Sequence, residues 1–108
     1  DELAQMKRGA FLINGSRGGT VDPKALYQAV SENTIAGAAL DVTEPEPIPL
    51  DDPLLTLPNV VITPHISSAS SATFRRMGIM AATNIVEALT GQPMTSCVNP
   101  EALEVRRC

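Results

Sequence analysis

Three short apolar runs alternate along the chain with two stretches whose apolar residues recur at helical spacing. The first run, Ala10-Phe11-Leu12-Ile13-Asn14, is closed by Gly15 and reads as a strand apolar on both faces, the kind buried in a parallel sheet. Residues 2–8 before it read as the last turns of a helix stopped at Gly9. A glycine-rich loop, Gly15 to Thr20, leads to a helix predicted from Asp22-Pro23, with Asp22 as N-cap and Pro23 in the first turn. Ala25, Leu26, Ala29 and Val30 share one face of that helix, which ends near Asn33. A second strand is predicted over 35–42, its small residues suggesting close packing against a helix. The prolines at 45, 47 and 49 exclude helix interior and central strand, so Glu44 to Pro49 is a stiff loop, with one short turn expected over 52–57. The third strand is 59–63, stopped by Pro64-His65. A long helix over about 70–89 carries Met77, Met80, Ala81, Ile85, Val86 and Leu89 at helical spacing and is capped by Gly91. The residues from Gln92 onward read as an extended arm, weakly helical over 101–107.

Strand, helix, strand, loop, strand, helix is the order of a parallel α/β sheet with right-handed crossovers. Such sheets cover both faces and use more than three strands. With a first segment that reads as a helix entered midway and no initial Met, the chain is expected to be a piece of a larger domain.

Composition narrows the classes. The 108 residues are 44% hydrophobic, with three aromatic residues, so aliphatic side chains must carry the burial. Twelve acids against eight bases, with no basic stripe, argue against nucleic acid as a partner. No run approaches 18 apolar residues and the first residues do not resemble a signal peptide, so no membrane partner and a cytoplasmic location are expected. Two late cysteines make no disulfide framework, and one histidine with those cysteines makes no metal site.

Ligands of open parallel sheets bind beyond the carboxyl ends of the strands. Arg17 follows the first strand, Asp41 closes the second with Glu46 beyond it, and His65 follows the third. Arginine can hold a carboxylate in a bidentate fork. Histidine can give or take a proton, and a neighbouring carboxylate fixes its tautomer and stabilises the imidazolium. The set suits reduction of a 2-oxo acid, with the hydride supplied by a cofactor because no side chain can supply one. Each residue also has a plainer use. His65 fits a helix cap, Arg17 a surface position, Glu44 and Glu46 solvated charges in a proline loop, Asp41 a bond to loop backbone, and Gly15, Gly18 and Gly19 ordinary turns. The glycine spacing is not G-x-G-x-x-G, and no nucleophile elbow supports a Ser-His-Asp hydrolase.

Three ordered motifs carry a family resemblance. Leu12 to Asp22, Gly37 to Pro47 and Pro58 to Ile66 resemble the arginine, acidic and histidine signatures of the D-isomer-specific 2-hydroxyacid dehydrogenases. The phrase Asp41-Val42-Thr43-Glu44-Pro45-Glu46-Pro47 is most similar to the glyoxylate/hydroxypyruvate reductase branch and its 2-ketogluconate reductase-like relatives. The resemblance implies a catalytic set of Arg17, Glu46 and His65, with Glu46 rather than Glu44 pairing with the histidine. It implies cofactor binding by Gly15, Ser16, Arg17, Asp41, His65 and Ser67, substrate binding by Arg17, His65 and Ser68, and no metal. At Ser67 the family usually has glycine.

The implied fold is the C-terminal part of a Rossmann-type, doubly wound α/β sheet with about three parallel strands. Residues 1–69 would belong to the NAD(P)-binding domain, 70–91 to a helix crossing toward a substrate domain, and 92–108 to a tail. The implied activity of the parent is hydride transfer between NADP or NAD and a small 2-oxo acid, giving the D-hydroxy acid, in a homodimer. The glycine fingerprint of dinucleotide binding does not occur in these residues, so the isolated chain is expected to be inactive. An unpaired edge on the first strand further predicts marginal stability or association. The alternatives are a cofactor-sensitive binding module of the corepressor type and a truncated inactive product.

Overall fold

A computed structural model describes residues 2–103. They form two compact units, divided between Ser67 and Ser68.

The first unit is built on three parallel strands, β1 (Phe11–Asn14), β2 (Gly37–Leu40) and β3 (Val60–Ile62), in the order β1-β2-β3. The predicted three-stranded parallel sheet is therefore present, each strand shorter by a residue or more than its apolar run. The register aligns Leu12 with Ala38 and Ala38 with Val60 on one face, and Ile13 with Ala39 and Ala39 with Val61 on the other. Helix α1 (Pro23–Ser31) connects β1 to β2. Leu26, Ala29 and Val30 of α1 form the buried core with Ile35, Ala38, Leu40 and Leu54. Leu26, Val30, Ile35 and Val42 are almost fully buried, each contributing roughly 1.5–3 kcal/mol of transfer free energy.

The helix begins and ends as its sequence dictates. Asp22 Oδ1 accepts from the Lys24 and Ala25 amides at 2.9 and 3.3 Å, and Pro23 opens the first turn. At the other end Asn33 takes a left-handed conformation (φ 57°). The Asn33 amide donates to Val30 O at 3.1 Å and the Thr34 amide to Ala29 O at 2.8 Å, a Schellman closure that turns the chain directly into β2.

Two expectations are corrected. Residues 2–8 form a single 3-10 turn, Leu3–Gln5, and not helical turns; Met6 is extended and Gly9 is not left-handed. So short a segment does not repay helix nucleation. The strand at β1 is also not buried on both faces. Phe11 is 64% and Ile13 79% exposed, and Val61 on the same face is 61% exposed. Among the described residues α1 covers only the opposite face of the sheet, so the second apolar face stands open.

The small residues of β2 serve two neighbours. Ala38 and Leu40 pack with α1, whereas Gly37 lies against the adjoining strands. A Cβ on Gly37 would stand 2.3 Å from Asn59 O and 3.0 Å from Phe11 Cε1. The β2–β3 connection holds the expected proline loop and a 3-10 turn, Pro53–Thr56, whose Leu54 plugs the core. Both Glu44-Pro45 and Glu46-Pro47 are cis.

In the second unit, α2 (Ser71–Leu89) is capped by Ser70 Oγ, which accepts from the Thr73 amide at 3.1 Å. It is closed by Gly91 at φ 72°, with the Gln92 amide on Glu87 O at 2.8 Å. The Glu87 carboxylate accepts from the Thr95 amide and hydroxyl at 2.6 and 2.7 Å, which fastens the following turn to the helix and lowers its pKa. The predicted stripe at Met77, Met80, Ile85, Val86 and Leu89 is exposed, and α2 has no buried residue. Pro100–Leu103 is a 3-10 turn; the rest of the weak helix expected to 107 lies outside the described residues.

Replacing Gly37 by Ala should destabilise the chain by about 1–3 kcal/mol through overpacking between strands, read as a lower urea midpoint with an unchanged slope.

Candidate active site

In a parallel sheet all carboxyl ends lie at one edge, and the loops leaving β1, β2 and β3 there carry Arg17, Asp41 with Glu46, and His65. Each loop is shaped by a short polar side chain at or next to its strand.

Asn14, the last residue of β1, is buried, and it braces the first loop. Its Nδ2 donates to Arg17 O at 3.0 Å and Thr20 Oγ1 at 3.2 Å, while its Oδ1 accepts from the Ser16 amide at 3.0 Å and hydroxyl at 2.8 Å. Arg17 is exposed and extended, with Nη1 donating to Ser16 O at 2.7 Å and no carboxylate partner among the described residues. Asn14 and Thr20 were not singled out from sequence. An Asn closing an apolar strand before Gly-Ser, the pattern of an Asx turn, is the signal that points to it.

Asp41 organises the third loop. Its Oδ1 accepts from Thr63 Oγ1 at 2.5 Å and the Ile66 amide at 2.8 Å, its Oδ2 from the Ser67 amide at 2.8 Å, and its carbonyl from the His65 amide at 2.9 Å. These bonds hold His65 in the left-handed region (φ 54°), a conformation that costs an L-residue about 1–2 kcal/mol. The Thr63 hydroxyl, more than any other neighbour, holds the Asp41 carboxyl far below the usual aspartate range; the Ile66 and Ser67 amides add to this against the opposing effect of burial.

His65 Nδ1 lies 2.6 Å from Glu46 Oε1. Glu44, two residues earlier, is exposed in the same loop and makes no such contact. The side chains of the pair are 43% and 42% exposed, so the bond adds only on the order of 0–1 kcal/mol to stability. Its consequence is chemical. With Nδ1–H donated to the carboxylate, Nε2 is left as the ring nitrogen that can exchange a proton.

Of the other residues singled out from sequence, Gly15 and Ser67 come together: a Cβ on Gly15 would lie 3.8 Å from Ser67 Oγ. Ser16 is held by Asn14 as above. Ser68 opens the second unit, where its carbonyl accepts from the Ser70 amide at 2.8 Å. No group of His, Cys, Asp and Glu among the described residues can hold a metal ion, and no described helix is long and apolar enough to cross a membrane.

Three parallel strands with an arginine, two carboxylates and a histidine on the loops at their carboxyl edge are what these residues build, and comparison with known proteins identifies the family. Residues 1–67 match the NAD binding domain of the D-isomer specific 2-hydroxyacid dehydrogenases, and the chain belongs to that family. It is 53% identical over 106 residues to the glyoxylate reductase of Korarchaeum cryptofilum, covering 98% of this chain and 32% of the relative. It is 50% identical over 103 residues to glyoxylate/hydroxypyruvate reductase B of Yersinia pestis, covering 95% and 32%. Among solved structures it resembles the NADPH-dependent glyoxylate/hydroxypyruvate reductase of Sinorhizobium meliloti, bound to NADP and malonate, with a TM-score of 0.74 and 38% identity over 91% of this chain and 30% of that one. The chain thus spans about a third of the length of the curated relatives it matches.

Because the depressed Asp41 carboxyl stays ionised as pH falls, its support for the His65 turn is complete above the unfolded aspartate value of about 3.9 and is lost only as pH falls through the lowered value. Thr63→Val should move that release upward, toward the ordinary range. The Ile66 and Ser67 amide proton shifts followed against pH report it, and an unchanged midpoint would contradict the assignment.

Proposed function

We propose that this chain supplies the substrate anchor and the proton donor for reduction of a small 2-oxo acid, such as glyoxylate or hydroxypyruvate, to the D-2-hydroxy acid. The carrying observation is the His65 Nδ1–Glu46 Oε1 contact at 2.6 Å, which commits one ring nitrogen to a carboxylate and frees the other. Arg17, with no internal carboxylate partner among the described residues, offers its guanidinium fork to the substrate carboxylate and draws electron density from the adjacent oxo group. His65 donates the Nε2 proton to the oxo oxygen as it becomes a hydroxyl, and Glu46 stabilises the imidazolium beforehand. In the reverse direction the same nitrogen accepts the hydroxyl proton.

NAD(P)H, when bound, supplies the hydride. The residues here fit the nicotinamide end of such a cofactor. Gly15 and Ser16 present backbone at the strand edge, and the neighbouring Ser67 hydroxyl and the Asp41 turn bound the same place. Asp41 acts there by holding the turn, since both of its carboxylate oxygens accept hydrogen bonds from that turn. The glycine fingerprint that seats a pyrophosphate does not occur in these 108 residues. The reading is supported by the glyoxylate and hydroxypyruvate reductases among the relatives, and by the malonate, a small carboxylate, bound with NADP in the Sinorhizobium meliloti enzyme.

The 108-residue chain alone should not oxidise NADH or NADPH in the presence of glyoxylate. Fused behind the N-terminal part of the Korarchaeum cryptofilum reductase that it does not match, it should do so. In that fusion His65→Gln should lower kcat by about 10²–10⁴-fold with a smaller change in KM. Full turnover by the His65→Gln fusion would refute the assignment.

A further inference from the structure

We propose that Gly18 is a positioning residue whose bare backbone seats the acidic loop and thereby sets Glu46 against His65. The proposal rests on the roles given to that pair above.

Two adjacent glycines follow Arg17, and the structure separates them. Neither is left-handed, so neither is required by backbone conformation. Gly19 faces open space: an added Cβ there meets nothing within 4 Å. A Cβ on Gly18 would fall 2.0 Å from Thr43 O, 2.1 Å from Thr43 C and 2.6 Å from Glu44 N. These are backbone atoms, which cannot swing aside as the end of a side chain can. The loop after β1 and the loop after β2 therefore touch main chain to main chain, and only glycine allows the approach.

The contact is held from both sides. On the Gly18 side, Arg17 O accepts from Asn14 Nδ2 at 3.0 Å and Thr20 Oγ1 at 2.6 Å, and the Val21 amide closes the turn on Gly18 O at 3.1 Å. Asn14 is itself buried, so the turn cannot withdraw without unmaking the end of β1. On the other side, Thr43 Oγ1 donates to Pro45 O at 2.9 Å, which locks the path from the contact to the residue before Glu46. Two proline rings flanking Glu46 leave that path little freedom. Relieving the Gly18 clash needs the Thr43–Glu44 backbone to move by about 1 Å, since Cβ atoms essentially never approach closer than 3.0 Å. Passed along to Glu46, a movement of that size carries a 2.6 Å bond beyond hydrogen-bond range.

His65 is the only histidine in the chain, so its ring nitrogens can be observed alone. The test is the ¹⁵N spectrum of the ring in the full 108-residue chain at about pH 9, where an ordinary histidine is neutral. The native chain is expected to show the Nδ1–H tautomer. Gly18→Ala should lose it in favour of the Nε2–H form that an unconstrained histidine side chain prefers. Gly19→Ala should keep it. Asp22→Ala, which weakens the fold by removing the α1 cap, should also keep it. Should Gly18→Ala lose its helical signal, sucrose is added to restore it and the spectrum is taken there. Retention of the Nδ1–H tautomer in Gly18→Ala would overturn the proposal, as would its equal loss in Asp22→Ala or Gly19→Ala. No cofactor or substrate enters the measurement. A fusion without turnover but with this tautomer response would therefore defeat the reaction assignment alone, and the converse would defeat only the role of Gly18.

Discussion

Four hydrogen bonds that shape the turn bearing His65 end on Asp41: the Thr63 hydroxyl and the Ile66 and Ser67 amides on its carboxylate, and the His65 amide on its carbonyl. Successive amides converging on one carboxylate require the chain to reverse its curvature at His65, and this is where the left-handed conformation sits. The strain at His65 is thus the geometric condition for satisfying Asp41. A neutral residue at 41 would leave the amides without an acceptor of matching charge. Asp41 is the first residue after β2, so one side chain ties the end of the central strand to the loop beyond β3.

The parallel sheet does the rest of the assembly. Because β1, β2 and β3 run in one direction, their carboxyl ends bring an arginine, two carboxylates and a histidine to one edge. The side chains proposed to act there, Arg17, Glu46 and His65, are exposed, while those that shape the loops, Asn14 and Asp41, are buried. Buried, satisfied polar groups beneath and exposed polar groups above is the arrangement expected of a site whose geometry must be fixed before substrate arrives.

The strand and helix order was legible because short apolar runs and helical spacing are local signals, and Asp22, Pro23, Ser70 and Gly91 punctuate them as their chemistry requires. The open face of β1 was not, since periodicity reports that Phe11 and Ile13 are apolar but not which neighbours cover them. At the site, the residues at the strand ends stood out by type and position. The choice between Glu44 and Glu46 came from family likeness, and the structure places Glu46 on His65. The supports were less legible. Asn14 carries the local signal of an Asx turn, but Thr63 and Gly18 meet residues 22 to 26 positions away, which no local pattern reports. Two glycines side by side look alike in sequence, and only the third dimension shows that one of them touches another loop.

The central claim is that Glu46 occupies Nδ1 of His65 and leaves Nε2 as the nitrogen that moves the proton. Carboxymethylation of the chain with iodoacetate, itself a small carboxylate that Arg17 can attract, reads this directly. The account predicts that the modified His65 carries its carboxymethyl group on Nε2. A product substituted on Nδ1 would contradict it.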